Sequence, residues 1–417
     1  MSDIRMLVDN EFREFVDIVG NAYPGSRVNS AEDKQKLEEA YILTQKEEPR
    51  INFYGCFRDG KLVGGMRYYD FMMNFRGSEI KAGGVGQVAV DLMHKKEKVA
   101  RDMVSHFINH YRDEGALFAM LYAFRPDFYR NMGFGLGAKV SQYCVRPADL
   151  PAESGKAHVE FFRAAQRQEL MEFYHRMYRN IHGMIRREEF ELSNIINYAE
   201  NMLAICKKDG RIQGCMVFSF RKANESNFLL NDIYIREILY ENTGALMELL
   251  AFLNSQQDQI RHVIINIHDD YLNYIFKDPR NCSGNLHTPV YHECNLQELG
   301  VMYRAINIEG ILKELKARSF GVQVCKLKLT IEDDFLADNN RSFIVHFTEG
   351  HASFEPGKEY EAELKMKIAD FSSMIIGAVS LKKLYGYNLA ELSDPGYVEI
   401  LDKIFGCDEK PICVSQF

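Results

Sequence analysis

Gln87-Val-Ala-Val-Asp-Leu-Met-His-Lys-Lys-Glu-Lys-Val-Ala100, followed downstream by Tyr129-Arg-Asn-Met-Gly-Phe134, decides how this chain is read. Residues 85–90 form a short apolar run without charge, which predicts a strand buried on both faces. From Ala100 onward, Val104 and Ile108 recur every fourth residue, and Met103, Phe107 and Tyr111 widen the same stripe. That spacing predicts a helix. The turn between such a strand and a helix start leaves backbone N–H groups pointing outward. Those donors, the positive end of the helix dipole, and Lys95, Lys96 and Lys98 together favour a bound pyrophosphate. One element further on, Tyr129 is presented just before a glycine.

The rest of the chain sets bounds. Its 417 residues are enough for about two to four domains, each with a core of its own. A net charge of −8 argues against non-specific nucleic-acid binding, which needs a basic face. The first residues lack a signal-peptide core, and no run of about 18 apolar residues exists, so no membrane span is expected. The nine cysteines include no Cys-x-x-Cys pair, which suits buried free thiols in a reducing cytoplasm. His106 and His110 are four apart on the helix but lack a third ligand, and His268-Asp-Asp270 reads as a strand end, so no metal is expected. No nucleophile elbow, dinucleotide fingerprint or Walker loop is present.

Cys56-Phe-Arg-Asp-Gly-Lys-Leu-Val-Gly-Gly-Met66 and Cys206-Lys-Lys-Asp-Gly-Arg-Ile-Gln-Gly-Cys-Met216 match in register. Each predicts a hairpin in which Asp-Gly supplies the two positive-φ positions of a type I′ turn. Residues 229–235 then predict a second strand and residues 245–253 a second helix. Between them, residues 236–243 are acidic where the first copy is basic, a poor phosphate site. Two copies of one α/β fold are therefore expected, with the site kept in the first and a linker near Pro147 and Pro151. Beyond residue 300 the pattern changes. Residues 311–315 predict a short helix, while Cys325, Leu327, Leu329 and Ile331, and again Leu364, Met366 and Ile368, alternate with polar neighbours as half-exposed antiparallel strands do. Residues 374–384 predict a helix on that sheet, capped by Asp370 or Ser372. This is a small α+β domain with one sheet face covered.

The first segment resembles motif A of the GNAT superfamily of N-acetyltransferases, in which a strand runs into a basic-x-x-Gly-x-Ala/Gly pyrophosphate loop. Here that loop is Lys95-Lys-Glu-Lys-Val-Ala100. The three-part layout is similar to that of the Eis (enhanced intracellular survival) acetyltransferases, and the likeness spans essentially the whole chain. Its most specific points are Val88-Ala-Val90, Phe128-Tyr-Arg-Asn-Met-Gly-Phe134 and the terminal aromatic residue Phe417. The fold class implied is α/β and α+β: two tandem GNAT-type domains, the second degenerate, then a sterol-carrier-protein-like domain. The expected boundaries are residues 1–149, 150–299 and 300–417.

By the same resemblance, Tyr129 is the general acid and the Phe417 carboxylate the base. Acetyl-CoA is the cosubstrate, held by Val88, Ala89, Val90, Lys95, Lys96, Lys98, Val99 and Ala100. The resemblance also implies a homohexamer. Two positions depart from the motif: Lys98 stands where the loop has glycine, and Leu92 where proline follows the strand. A side chain at the glycine position holds the pyrophosphate away, or a lysine there adds a cation to it. A working site with altered CoA affinity is expected.

Acetyl transfer from a thioester to an amine needs a neutral nucleophile, donors for the carbonyl oxygen, and a proton for the departing thiolate. A phenol with a reference pKa of about 10 is protonated at neutral pH and can donate. A terminal carboxylate, with a reference pKa near 3.5, draws an ammonium into place and accepts its proton directly or through one water. The expected activity is therefore acetyl transfer to a primary amine, on a polyamine-like or aminoglycoside-like molecule or on a lysine side chain. The alternatives are a non-catalytic acyl-CoA or lipid carrier using the third domain, and a silent assembly subunit.

Overall fold

Two Asp-Gly turns close the hairpins from which the two sheets are built. Asp59 and Gly60 have φ of 50° and 76°, and Asp209 and Gly210 have 52° and 76°, as type I′ geometry requires. The first turn joins β2 (Ile51–Arg58) to β3 (Lys61–Phe75), and the second joins β9 (Met202–Lys208) to β10 (Arg211–Lys222). The structure, a computed structural model, describes all residues except 1, 26, 27, 29, 225, 316–321 and 355–358. It divides into two units. One comprises Met1–Gly137, Val301–Pro411 and Gln416–Phe417, the other Ala138–Gly300 and Ile412–Ser415.

The first unit holds a sheet in the order β1 (Asp3–Met6), β2, β3, β4 (Ser78–Val90), β5 (Phe118–Leu121), β16 (Met302–Ala305), β6 (Gly135–Leu136). Helices α1 (Phe12–Ala22) and α3 (Val99–Asp113) cover its two faces, with α2 (Ala31–Glu47) packed on the α1 side. Adjacent residues of β3 show this: a Cβ at Gly65 would meet Phe15 of α1, and one at Gly64 would meet Val99 and Met103 of α3. Of the stripe read from the sequence, Ala100 is half-buried, while Met103, Val104, Phe107, Ile108 and Tyr111 are buried on α3 together with Val99. Each such side chain contributes on the order of 1.5–3 kcal/mol.

Strand β4 is longer than the apolar run suggests. It pairs antiparallel with β3 along its length but parallel with β5 only at Ala82, Gly83 and Gly84. Past Gly84 the two strands diverge, so four of residues 86–90 are half-buried rather than covered on both sides.

The second unit repeats the plan in the order β15 (Leu296–Leu299), β7 (Lys139–Val145), β12 (Ile260–Ile267), β11 (Asn231–Tyr240), β10, β9, β8 (Val159–Phe161). Its helices are α5 (Arg167–Asn180), α6 (Glu189–Asn197) and α7 (Thr243–Asn254), with a ribbon β13 (Leu286–His287) and β14 (Tyr291–His292). Strand β11 runs on through residues 236–240 of the stretch read as acidic. Glu237 is tolerated inside it because Arg187 meets the carboxylate at 2.8 Å and the Tyr174 hydroxyl donates to it at 2.6 Å, all buried. The sheets do not change over at residues 149/150 and 299/300. Residues 139–145 lie in the second sheet, and residues 302–305 enter the first between β5 and β6.

The remainder of the first unit is a sheet in the order β19 (His351–Phe354), β18 (Ser342–Thr348), β17 (Cys325–Glu332), β20 (Ala362–Lys367), β21 (Ala390–Leu392), with α8 (Ile308–Glu314), α9 (Ile368–Ile375), α10 (Leu381–Gly386) and α11 (Val398–Phe405). Two readings are corrected here. Strands β17 and β20 pair parallel to each other, each meeting an antiparallel neighbour on its other edge. The helix expected at 374–384 is two, and the first begins at Ile368, so neither Asp370 nor Ser372 caps it. Asp370 pairs with Arg130, and the Ser372 hydroxyl accepts from Ala305 N–H at 2.9 Å. Two buried arginines bind this part to the first sheet. Arg304 reaches Asp333 at 2.7 Å, and Arg76 donates to the carbonyls of Ile375, Phe405 and Gly406.

Candidate active site

The divergence of β4 from β5 opens the first sheet, and the last residue of the chain lies there. A Cβ at Gly84 would come 3.2 Å from the Phe417 ring. One at Gly86 would come 3.2 Å from the terminal carboxyl carbon and 3.4 Å from the Tyr69 hydroxyl. A Cβ at Gly84 would also strike the Phe71 ring, so a side chain at either position crowds the terminus or the rings around it. The Phe417 ring packs against Phe71 at 4.9 Å, Tyr122 at 5.2 Å and Tyr69 at 5.5 Å. Such aromatic contacts are worth about 0.5–1.5 kcal/mol each beyond area burial. The preceding residues are also held, within the second unit. Ile412 N–H donates to His182 O at 2.8 Å, and Val414 packs against buried side chains of α5 and β10.

Tyr129 sits on α4 (Pro126–Arg130), a short helix begun by proline and closed by Phe134 N–H donating back to Tyr129 O at 3.1 Å. Its neighbours fix it from outside: Arg304 Nε donates to Met132 O at 2.9 Å, and Arg130 pairs with Asp370. The ring is 3% exposed, in one cluster with Val85, Val99, Leu121 and Phe134, and Val88, Val90 and Ala100 pack against that cluster. Burial first, and the nearby Tyr23 phenol second, push the Tyr129 pKa up, so it is a protonated donor. Among the described residues its hydroxyl has no hydrogen-bond partner. Tyr23 itself donates to Val88 O at 2.9 Å.

Lys96 and Lys98 have φ of 67° and 64°, and Lys98 is the left-handed residue that precedes α3. Lysine therefore occupies the conformation for which glycine is the usual choice, without changing the turn. The first internal bond of α3 runs from Asp102 N–H to Lys98 O at 3.0 Å, so the amides of Val99, Ala100 and Arg101 precede it. Arg58 braces the loop by donating to Glu97 O at 3.1 Å and Asp102 at 3.0 Å. Lys95, Lys96 and Lys98 are exposed, and among the described residues none is in an ion pair. Ala89 is fully buried.

Four residues of this region escape a reading of the sequence: Tyr23, Tyr41, Arg67 and Gln87. The Arg67 guanidinium lies over Tyr69 at 4.8 Å and Phe53 at 5.2 Å, and its Nε is buried without an acceptor among the described residues. Gln87, at φ 50° in β4, donates to the Tyr41 hydroxyl, whose pKa burial pushes up to about 12. A polar residue inside an apolar run was the available signal for Gln87.

The second copy is closed at the corresponding place. Only Glu241 and Asn242 separate β11 from α7, and the Asn242 side chain accepts Ala245 N–H at 3.0 Å, capping the helix start. Two of the histidines read from the sequence have structural partners. His106 Nδ1 meets the Tyr68 hydroxyl at 2.8 Å, and His268 faces the carbonyls of Lys139 and Cys413 at 3.2 and 3.1 Å.

Comparison with known proteins bears on the fold. Residues 3–137 match an acetyltransferase (GNAT) domain family, residues 183–293 a second acetyltransferase (GNAT) domain family, and residues 311–414 a sterol carrier protein domain family. The chain is thus two GNAT-type α/β domains followed by an α+β sterol-carrier-type domain. Among solved structures, it is similar to a GCN5-related N-acetyltransferase from Anabaena variabilis, at 16% identity over all of both chains with a TM-score of 0.79. A GCN5-related N-acetyltransferase from Kribbella flavida gives 16% identity and 0.78, covering all of this chain and 98% of that one. Eis1 from Mycobacterium abscessus gives 17% and 0.76 over all of both chains. No curated protein matches the sequence.

Proposed function

We propose that the chain is an acetyl-CoA-dependent N-acetyltransferase of the Eis type, acting on a primary amine. One observation carries this reading: the chain's own carboxyl terminus lies over Gly86, on the part of β4 that has left β5. The edge of that strand, no longer paired with β5, would take an extended pantetheine arm as an added strand, and the thioester carbonyl would accept from a backbone N–H there. Val88, Ala89 and Val90 line that edge. Lys95, Lys96 and Lys98, with the amides of Val99 and Ala100, receive the pyrophosphate.

The residues then divide the proton work. The Phe417 carboxylate draws the acceptor ammonium toward the thioester and takes its proton. Tyr129, kept protonated by burial, donates to the leaving thiolate. The acceptor is a polyamine-like or aminoglycoside-like amine or a lysine side chain, the Eis resemblance supports a homohexamer, and the free cysteines suit a reducing cytoplasm. Release of CoA thiol across a panel of such amines tests the reading. Turnover with any of them is the expected result, and CoA binding without turnover on all of them would refute it.

A further inference from the structure

Three residues far apart in the chain converge on the second sheet. Cys144 of β7 pairs with Ile264 of β12, which sets His262 diagonally beside it on the same face. Asp232 of β11 lies next along that face, since Ile233 pairs with Val263. Cys282 is brought over by its backbone, whose N–H donates to Cys144 O at 3.1 Å. The ligand atoms of Cys144, His262 and Cys282 all lie within 4.8 Å of one another. A tetrahedral zinc ion, with bonds of about 2.3 Å to sulfur and about 2.0–2.1 Å to nitrogen, holds such atoms roughly 3.5–3.8 Å apart. Side-chain rotations of about 1 Å are enough to close the set around the ion.

We propose that Cys144, His262 and Cys282 form a zinc site that staples residues 281–294 to the second sheet. The donor set chooses the metal: two thiolates and an imidazole select zinc over the oxygen-seeking magnesium and calcium. Binding releases the two thiol protons, and two thiolates with a neutral imidazole leave the Zn²⁺ site uncharged. Asp232 holds the histidine from behind, accepting His262 backbone N–H at 3.1 Å, with its Oδ1 3.7 Å from the ring Nδ1. His262 and Cys282 line a cavity of about 430 Å³ whose other walls include Asp278, His292 and Glu293, side chains of the kind that supply a fourth ligand.

The segment itself shows why a staple is useful. Leu286, Val290 and Tyr291 are all exposed, so residues 281–294 bury little apolar surface. Their other ties are few, such as Asn281 N–H to Glu293 O at 2.6 Å and Asn285 Nδ2 to Glu293 at 2.8 Å. A segment that buries so little gains its order from a cross-link.

The test needs no enzyme activity. Full-length protein expressed with added zinc, then dialysed against a weak chelator, should hold about one zinc per chain by elemental analysis. Replacing zinc with cobalt should give strong thiolate-to-cobalt charge-transfer absorption. Cys282→Ser should lose most of the bound metal while retaining the CoA-induced thermal shift, which shows that the variant has folded. Wild-type protein without metal, a Cys144–Cys282 disulfide in its peptide map, or a cobalt spectrum lacking the thiolate band would each overturn the proposal. All three measurements use only the wild-type chain, so an unstable variant does not decide the matter.

Discussion

Converting the terminal carboxylate of Phe417 to a carboxamide by semisynthesis isolates its charge from its packing. The ring keeps its contacts with Phe71, Tyr122 and Tyr69 at 4.9, 5.2 and 5.5 Å, and the carboxyl carbon keeps its place over Gly86. Only the base and the anion that attracts the ammonium are removed. General-base help is worth about 10²–10⁴ in rate, or about 2.7–5.4 kcal/mol in the barrier. We therefore expect kcat to fall by about that factor, with little change in the Kd of CoA, because the carboxylate meets the acceptor rather than the cofactor. Deleting Phe417 is a weaker test, since it also removes three ring contacts and leaves a carboxylate about 3.3–3.6 Å short. The assay is CoA-thiol release under saturating acetyl-CoA, beside calorimetric titration of CoA. An amidated chain with undiminished kcat would refute the assignment of the base.

Tyr129→Phe should lower kcat by about 10²-fold or more and leave CoA affinity intact; equal turnover would remove the phenol from the mechanism. Because burial raises its pKa, Tyr129 stays protonated above the usual tyrosine range, so the pH–kcat profile should show no loss assignable to it as pH rises to about 10. Lys98→Gly fits the left-handed backbone without strain but removes a cation, so CoA should bind about 2–5-fold more weakly at low ionic strength and less so in high salt. Unchanged titrations at both salt concentrations would place the pyrophosphate elsewhere. Glu237→Gln leaves Arg187 buried without its counter-charge and should cost about 3–5 kcal/mol, read as a lowered thermal midpoint of the second unit.

What could be read from the chain alone was local. The Asp-Gly pairs at 59–60 and 209–210 need positive φ whatever surrounds them, so both hairpins and the repeat were legible. The apolar stripe of α3 and the alternation along β17 follow from backbone periodicity in the same way. Tertiary structure decided the rest, because it depends on strand register and on contacts between distant residues. No periodicity in β4 announces where it parts from β5, and that parting makes room for the terminus. An arginine fifty positions away lets Glu237 stay in a strand that local polarity would have ended. Cys144, His262 and Cys282 carry no spacing signature, since pairing between β7 and β12 and the bond from Cys282 N–H to Cys144 O are what make them neighbours.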